Sequence, residues 1–213
     1  QRCNRAIFAS RGVKVPGEDM TIENFKKVID FFEEIYFCGQ ISDPIFHPQF
    51  VEFLKLLKGR KTVIHTAASH KKEEWYRKAF EANTDAYWTF GIDGLPKDSH
   101  KYRKNQDGKY LFERMLDAHK KGLDVEWQYI IFDYNEETQL DAYKLAVDNG
   151  IRLQLLESNT DVDGNNIKLE YNFSLDNDFS TIESNSIDAE ISINNFVTSF
   201  NLYEQRGEIG TTH

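Results

Sequence analysis

Two cysteines, four prolines and two methionines in 213 residues leave this chain short of several kinds of chemistry. Cys3 and Cys38 are too few for a disulfide framework, and whether they could bridge each other depends on geometry that spacing does not supply. Basic residues are also scarce: 26 Lys and Arg against 35 Asp and Glu give a net charge of -9. That disfavours non-specific attraction to nucleic acid or to an anionic membrane, apart from a local basic cluster at Lys101, Arg103 and Lys104. No apolar run approaches the roughly 20 residues that span a bilayer, and no signal peptide is visible. We therefore expect no nucleic-acid or membrane partner and a cytoplasmic location. Gly-x-x-x-x-Gly-Lys-Ser, the nucleophile elbow and Gly-x-Gly-x-x-Gly are all missing, so the common nucleotide-binding and hydrolase motifs are not present. The chain starts at Gln1 rather than Met and reads as a fragment or as a protein with further residues at its ends.

What remains is enough for one sizeable core, ordered as alternating helix and strand. Apolar periodicity predicts helices over 21–32, 48–57, 72–80, 109–121 and 138–149. It predicts strands over 35–38, 62–66, 86–92, 125–132 and 152–156. Thr21 suits an N-cap, and Gly122 and Gly150 fall where helices end. Strand starts recur every 24 to 39 residues, the length of a βα unit, which implies parallel strands with right-handed crossovers. The fold class expected is α/β, a whole or partial βα barrel; an open doubly wound sheet is the alternative. Residues 1–156 form that unit. Residues 157–213 read as an irregular extension: a loop-rich stretch with a short strand near 167–173, then alternation over 187–204 that suits a last strand and a terminal helix.

The run from Phe37 to Pro48 concentrates the punctuation. Residues 35–38 read as a strand buried on both faces and Gly39 as a tight turn. Pro48 reads as the opening of a helix with Phe50, Phe53, Leu54 and Leu57 on one face. In a βα barrel such strand-to-helix corners carry function. Gly39 to Asp43, Thr66 to Ser69, Asp93-Gly94 and Asp133 to Asn135 would then share the C-terminal rim. Each also has an ordinary reading: Asp93-Gly94 as a turn, Thr66 and Ser69 as helix caps, Asp43-Pro44 as a turn start. Cys38, ending an aromatic strand, reads as a small buried hydrophobe. Cys3 lies among polar residues, where a thiol is more often a ligand or a reactive group. His47, His65 and His70 lack metal-site spacing and read as surface or turn residues.

Three segments taken in order resemble the radical S-adenosylmethionine (SAM) enzymes. They are Cys38-Gly39-Gln40-Ile41-Ser42-Asp43-Pro44-Ile45-Phe46-His47-Pro48, Thr66-Ala67-Ala68-Ser69, and Phe90-Gly91-Ile92-Asp93-Gly94 with His100-Lys101-Tyr102-Arg103. The pattern is most similar to the branch related to peptide-modifying SPASM proteins, including small phage and environmental versions. The resemblance implies a partial (β/α)6 barrel, a [4Fe-4S] cluster, SAM, an electron donor and a peptide or small-molecule substrate. It implies that Cys3 is the last cysteine of a Cys-x-x-x-Cys-x-x-Cys loop, with Gln1 and Arg2 as spacers and the other two cysteines upstream. It also implies that Gly39 through Pro44 stands for the family's Gly-Gly-Glu-Pro segment, with Asp43 in place of the glutamate beside the SAM amino group. Thr66 and Ser69 would flank SAM, Asp93 would reach the ribose side, Arg103 would pair with the SAM carboxylate, and Gln128 would face the same pocket.

This sequence departs from the family in three ways. The cluster motif is incomplete, the Gly-Gly-Glu segment is longer, and no cysteine after residue 38 could hold an auxiliary cluster. In such enzymes one electron splits SAM into methionine and a 5'-deoxyadenosyl radical, and the protein supplies binding, orientation and exclusion of water. That division suits a chain with no evident acid, base or nucleophile. The rival reading is a cluster-free βα barrel acting as a binding or assembly component. A metal-independent lyase or isomerase is less favoured, because no lysine or paired carboxylates stand out at strand ends.

Overall fold

The computed structural model describes residues 8, 10–15, 17–39, 42–157, 188–193 and 196–201. Helix α1 (Ile22–Ile29) begins where Thr21 accepts a hydrogen bond from the Asn24 N–H at 3.2 Å, and it buries Phe25 and Ile29. Strand β1 (Glu34–Phe37) follows, then a short 3-10 turn over Pro44–Phe46 and helix α2 (Phe50–Leu56). This helix starts two residues later than Pro48 predicts. His47 takes the intervening N–H groups, with Nδ1 accepting from Gln49 at 3.1 Å and its carbonyl from Phe50 at 3.2 Å. The proline that does open a helical turn is Pro44, whose fixed φ suits a first position. The face predicted for α2 is intact, with Phe50, Phe53, Leu54 and Leu57 all buried.

The chain continues as β2 (Lys61–Thr66), α3 (Glu73–Ala82), β3 (Tyr87–Gly91), α4 (Gly108–Lys120), β4 (Val125–Ile131), α5 (Gln139–Asp148) and β5 (Arg152–Glu157). Strands β1 to β5 are parallel neighbours in sequence order. A doubly wound sheet reverses its order at a switch point and so carries helices on both faces. This order never reverses, so right-handed crossovers place every helix on one face, as in a partial TIM-like barrel.

That face is the core. Ile64, Trp88, Phe90, Trp127, Tyr129 and Leu153 pack there against Phe25, Phe50, Tyr76, Phe80, Leu111, Met115 and Ala146 from the helices. The intervening strand residues point the other way, as the period of two requires. In register across β2 to β5 they form the rows His65–Thr89–Glu126–Arg152 and Gly91–Gln128–Gln154. All of these except Thr89 and Gly91 are half-buried.

Two expectations change at β1. It is the edge strand of the described sheet, so Tyr36 is 50% exposed and the strand is not buried on both faces. Cys38, just past its end, is exposed rather than packed. At the other edge β6 (Asp188–Ile193) and β7 (Phe196–Asn201) form an antiparallel hairpin, with β7 parallel to β5. The second of these stands where a terminal helix was expected; the alternation over 187–204 has the period of strands throughout. The strand expected near 167–173 lies outside the described residues. Among the described residues no helix is long and apolar enough to cross a membrane.

Candidate functional site

Beyond the parallel ladder, the C-terminal ends of β1, β2 and β3 are also joined through side chains. After β1, Gly39 turns the chain with φ +63°, and an added Cβ would press on Pro44 Cδ at 3.1 Å and the Ser42 carbonyl at 3.2 Å. A side chain there would meet both backbone strain and crowding. The turn delivers Asp43, whose carboxylate accepts from Ile45 N at 3.2 Å, Ala67 N at 2.7 Å, Ala68 N at 3.1 Å and the Thr66 hydroxyl at 3.0 Å. Asp43 thus caps one turn and fastens the loop after β2 in the same stroke. Its oxygens are occupied by protein, so Asp43 and Thr66 meet as an anchor. Gln40 and Ile41 lie outside the described residues.

The loop after β2 is held by side chains and backbone from three other segments. The Ala68 carbonyl accepts from the Tyr76 hydroxyl at 2.6 Å, and burial raises that phenol well above its ordinary pKa. The Ser69 hydroxyl accepts from Asp107 N at 2.8 Å. The Ala67 carbonyl accepts from Gln106 Nε2 at 2.6 Å, and the same nitrogen donates to the Gly91 carbonyl at 2.9 Å. Gln106 lies 39 residues from Ala67 in sequence, and nothing local in the chain marks it.

After β3, Asp93 is wholly buried. Its carboxylate accepts from Ile130 N at 3.0 Å and pairs with Arg103 Nε at 2.6 Å, while its carbonyl accepts from the Tyr134 hydroxyl at 2.5 Å. Burial raises the Asp93 carboxyl above the ordinary carboxylate range, against the opposing pull of Arg103 and the Ile130 N–H. The guanidinium lies over Gly91, where an added Cβ would stand 3.2 Å from Arg103 Nη2 and 3.3 Å from Ala67 Cβ. Glycine is needed here for close approach. The resemblance sets Asp93 and Arg103 on separate parts of a ligand; in this chain they bind each other, and Asp93 aims the arginine. With Nε committed, the Nη edge is what Arg103 can present to a planar anion.

Gln128 stands next to Gly91 in register, but its amide turns away from that group and donates to Gln154 Oε1 at 3.2 Å. Gln154, Glu126 and Arg152 were not singled out from the sequence. Their signal was there: polar residues at alternate positions of otherwise apolar strands mark a face that none of the described helices covers, the uncovered face of the described sheet. Cys3 lies outside the described residues. Among the described residues no group of three or more His, Cys, Asp or Glu could hold a metal ion. His47 bonds to the Met20 carbonyl at 3.0 Å, and His70 stacks on Phe46 with ring centroids 4.0 Å apart, both at the surface as expected. His65 instead lies within β2 on the uncovered face.

No protein-family model and no curated protein matches this sequence. Solved structures do. SuiB from Streptococcus suis matches with a TM-score of 0.50 and 13% identity over 61% of this chain. The crystal structure of SuiB bound to S-adenosylmethionine matches with a TM-score of 0.50 and 14% identity over the same share. A third, SuiB bound to the precursor peptide SuiA, has a TM-score of 0.48 and 12% identity, over 55% of this chain and 27% of that one. The chain spans 31% of the length of SuiB in the first two. At these identities the likeness is one of fold, and the fold in common is the partial barrel.

Proposed function

We propose that this chain is the SAM-binding partial barrel of a radical SAM enzyme that cleaves SAM reductively and abstracts hydrogen from a peptide or other substrate at the barrel mouth. The observation that carries the reading is the arginine at the C-terminal rim. Arg103 is fixed by a buried carboxylate and laid over a glycine, in a fold shared with a protein that binds SAM. A guanidinium held this way suits the carboxylate of an amino-acid group.

Residues for SAM fit in kind. Arg103 would take the carboxylate, and the uncovered face with Gln128 would border the ligand. Gly39 and Asp43 would set the course of the loop, with Thr66 and Ser69 holding its neighbour. When bound, SAM and a [4Fe-4S] cluster would supply the radical chemistry, with electrons from a separate donor. For the cluster the fit is incomplete. One thiolate, Cys3, does not hold it, and Cys38 is exposed and belongs to no group of three or more candidate metal ligands among the described residues.

The same observation favours a second reading, a cluster-free barrel that binds a carboxylate-bearing ligand or assembles with another protein. Two measurements separate them. Calorimetric titration with SAM should show Arg103→Ala losing about 1.5 to 3 kcal/mol of binding free energy, the worth of a charge-assisted hydrogen bond. Anaerobic reconstitution with iron and sulfide, on the chain extended through the upstream cysteines that the resemblance implies, should yield bound iron and, once SAM and a strong one-electron reductant are added, 5'-deoxyadenosine. No iron with those cysteines intact would hand first place to the binding protein.

A further inference from the structure

Arg103 and Gln106 are the two ends of one tight turn. Gln106 N donates to the Arg103 carbonyl at 2.9 Å, and between them Asn105 takes φ +68°, the only non-glycine residue with positive φ among those described. Asparagine is the side chain that tolerates this region best after glycine. Both ends of the turn reach down to the last residue of β3. Arg103 lies over the Gly91 Cα and pairs with Asp93, while Gln106 donates to the Gly91 and Ala67 carbonyls. Two carbonyl acceptors settle which end of the Gln106 amide is nitrogen. Gln106 is 8% exposed, whereas the Arg103 side chain is 28% exposed. One prong is therefore a buried fastener and the other reaches solvent.

We propose that Gln106 is a positioning residue. By pinning the turn to the ends of β2 and β3 it sets the height of Arg103 over Gly91, so that the Nη edge is presented, already ordered, to a carboxylate. Without the pin, Arg103 would keep its charge but lose its place, and ordering it would fall on the ligand. For the identity of that ligand the inference rests on the SAM reading; for the geometry it stands apart from it.

The test uses the chain as it is, isotopically labelled, with two readouts. The first is hydrogen-exchange protection of the Arg103 Nε–H by NMR, which needs no ligand. The second is SAM affinity by calorimetry. Gln106→Leu should lower Nε–H protection and weaken SAM binding about tenfold, the scale of one hydrogen bond. In the Arg103→Ala background it should weaken binding no further. Unchanged protection in Gln106→Leu, or fully additive losses in the double variant, would overturn the proposal. If Gln106→Leu does not fold, Asn105→Val strains the turn while leaving both strand ends intact, and the same outcomes apply. Wild-type protein that protects the Nε–H through Gln106 yet binds no SAM would retain the positioning role and remove the SAM reading. Binding without dependence on Gln106 would do the reverse.

Discussion

The two faces of one sheet divide the labour of this molecule. On the covered face Trp88, Phe90, Trp127 and Tyr129 are buried among helix residues; one position away, Glu126 and Gln128 are polar and only half-buried. Adjacent residues in β4 therefore answer to different demands, because successive side chains of a strand point to opposite sides. Stability is concentrated on the covered face, and side chains on the other can change with little cost to the fold.

Trp127 and Gln128 put that contrast to its hardest test. Trp127→Ala should destabilise by about 3 to 5 kcal/mol, since it opens a large cavity and removes the indole donor bonded to the Ile92 carbonyl at 2.8 Å. Gln128→Ala should stay within about 0.5 kcal/mol of wild type. Urea denaturation of both variants measures the gap, and near-equal losses would mean that the uncovered face is part of the core.

Asp43 blurs the division, because it sits at the rim yet behaves as structure. Asp43→Ala leaves the Ala67 and Ala68 N–H groups and the Thr66 hydroxyl without their acceptor, and should cost about 2 to 3 kcal/mol of stability. Arg103→Ala combined with Asp93→Asn, so that no buried carboxylate is left unpaired, should move the urea midpoint less than Asp43→Ala does while binding falls. If both variants lose stability alike, the rim is one structural unit and the arginine is not set apart for a ligand.

The smallest effect concerns pH. His70, stacked on Phe46, has its pKa lowered from 6.5, first by burial and then by Lys71, with Asp43 opposing. A histidine whose folded pKa is depressed takes up protons on unfolding, so stability is complete above the unfolded value of 6.5 and declines as pH falls below it. Thermal melting between about pH 7.5 and pH 5.5 should show a shallow fall that His70→Gln flattens. A rise in melting temperature over that window would reverse the assignment.

Sequence periodicity by itself determined the order and approximate limits of five strands and five helices, and the parallel arrangement followed from the lengths between them. These are local or counting properties: a face with period 3.6, a strand with period 2, a crossover that needs a helix. It missed the exposure of Cys38, which depends on β1 being an edge, and it took the C-terminal alternation partly for a helix. Only the tertiary structure decided what the rim residues do. That Asp43 holds the loop after β2, that Asp93 holds Arg103, and that Gln106 clamps two strand ends all follow from hydrogen bonds and an ion pair formed after the chain has folded back on itself. Aspartate, arginine and glutamine look the same in a sequence whether they meet a backbone amide, each other or a ligand. Which partner each one meets is settled by long-range packing.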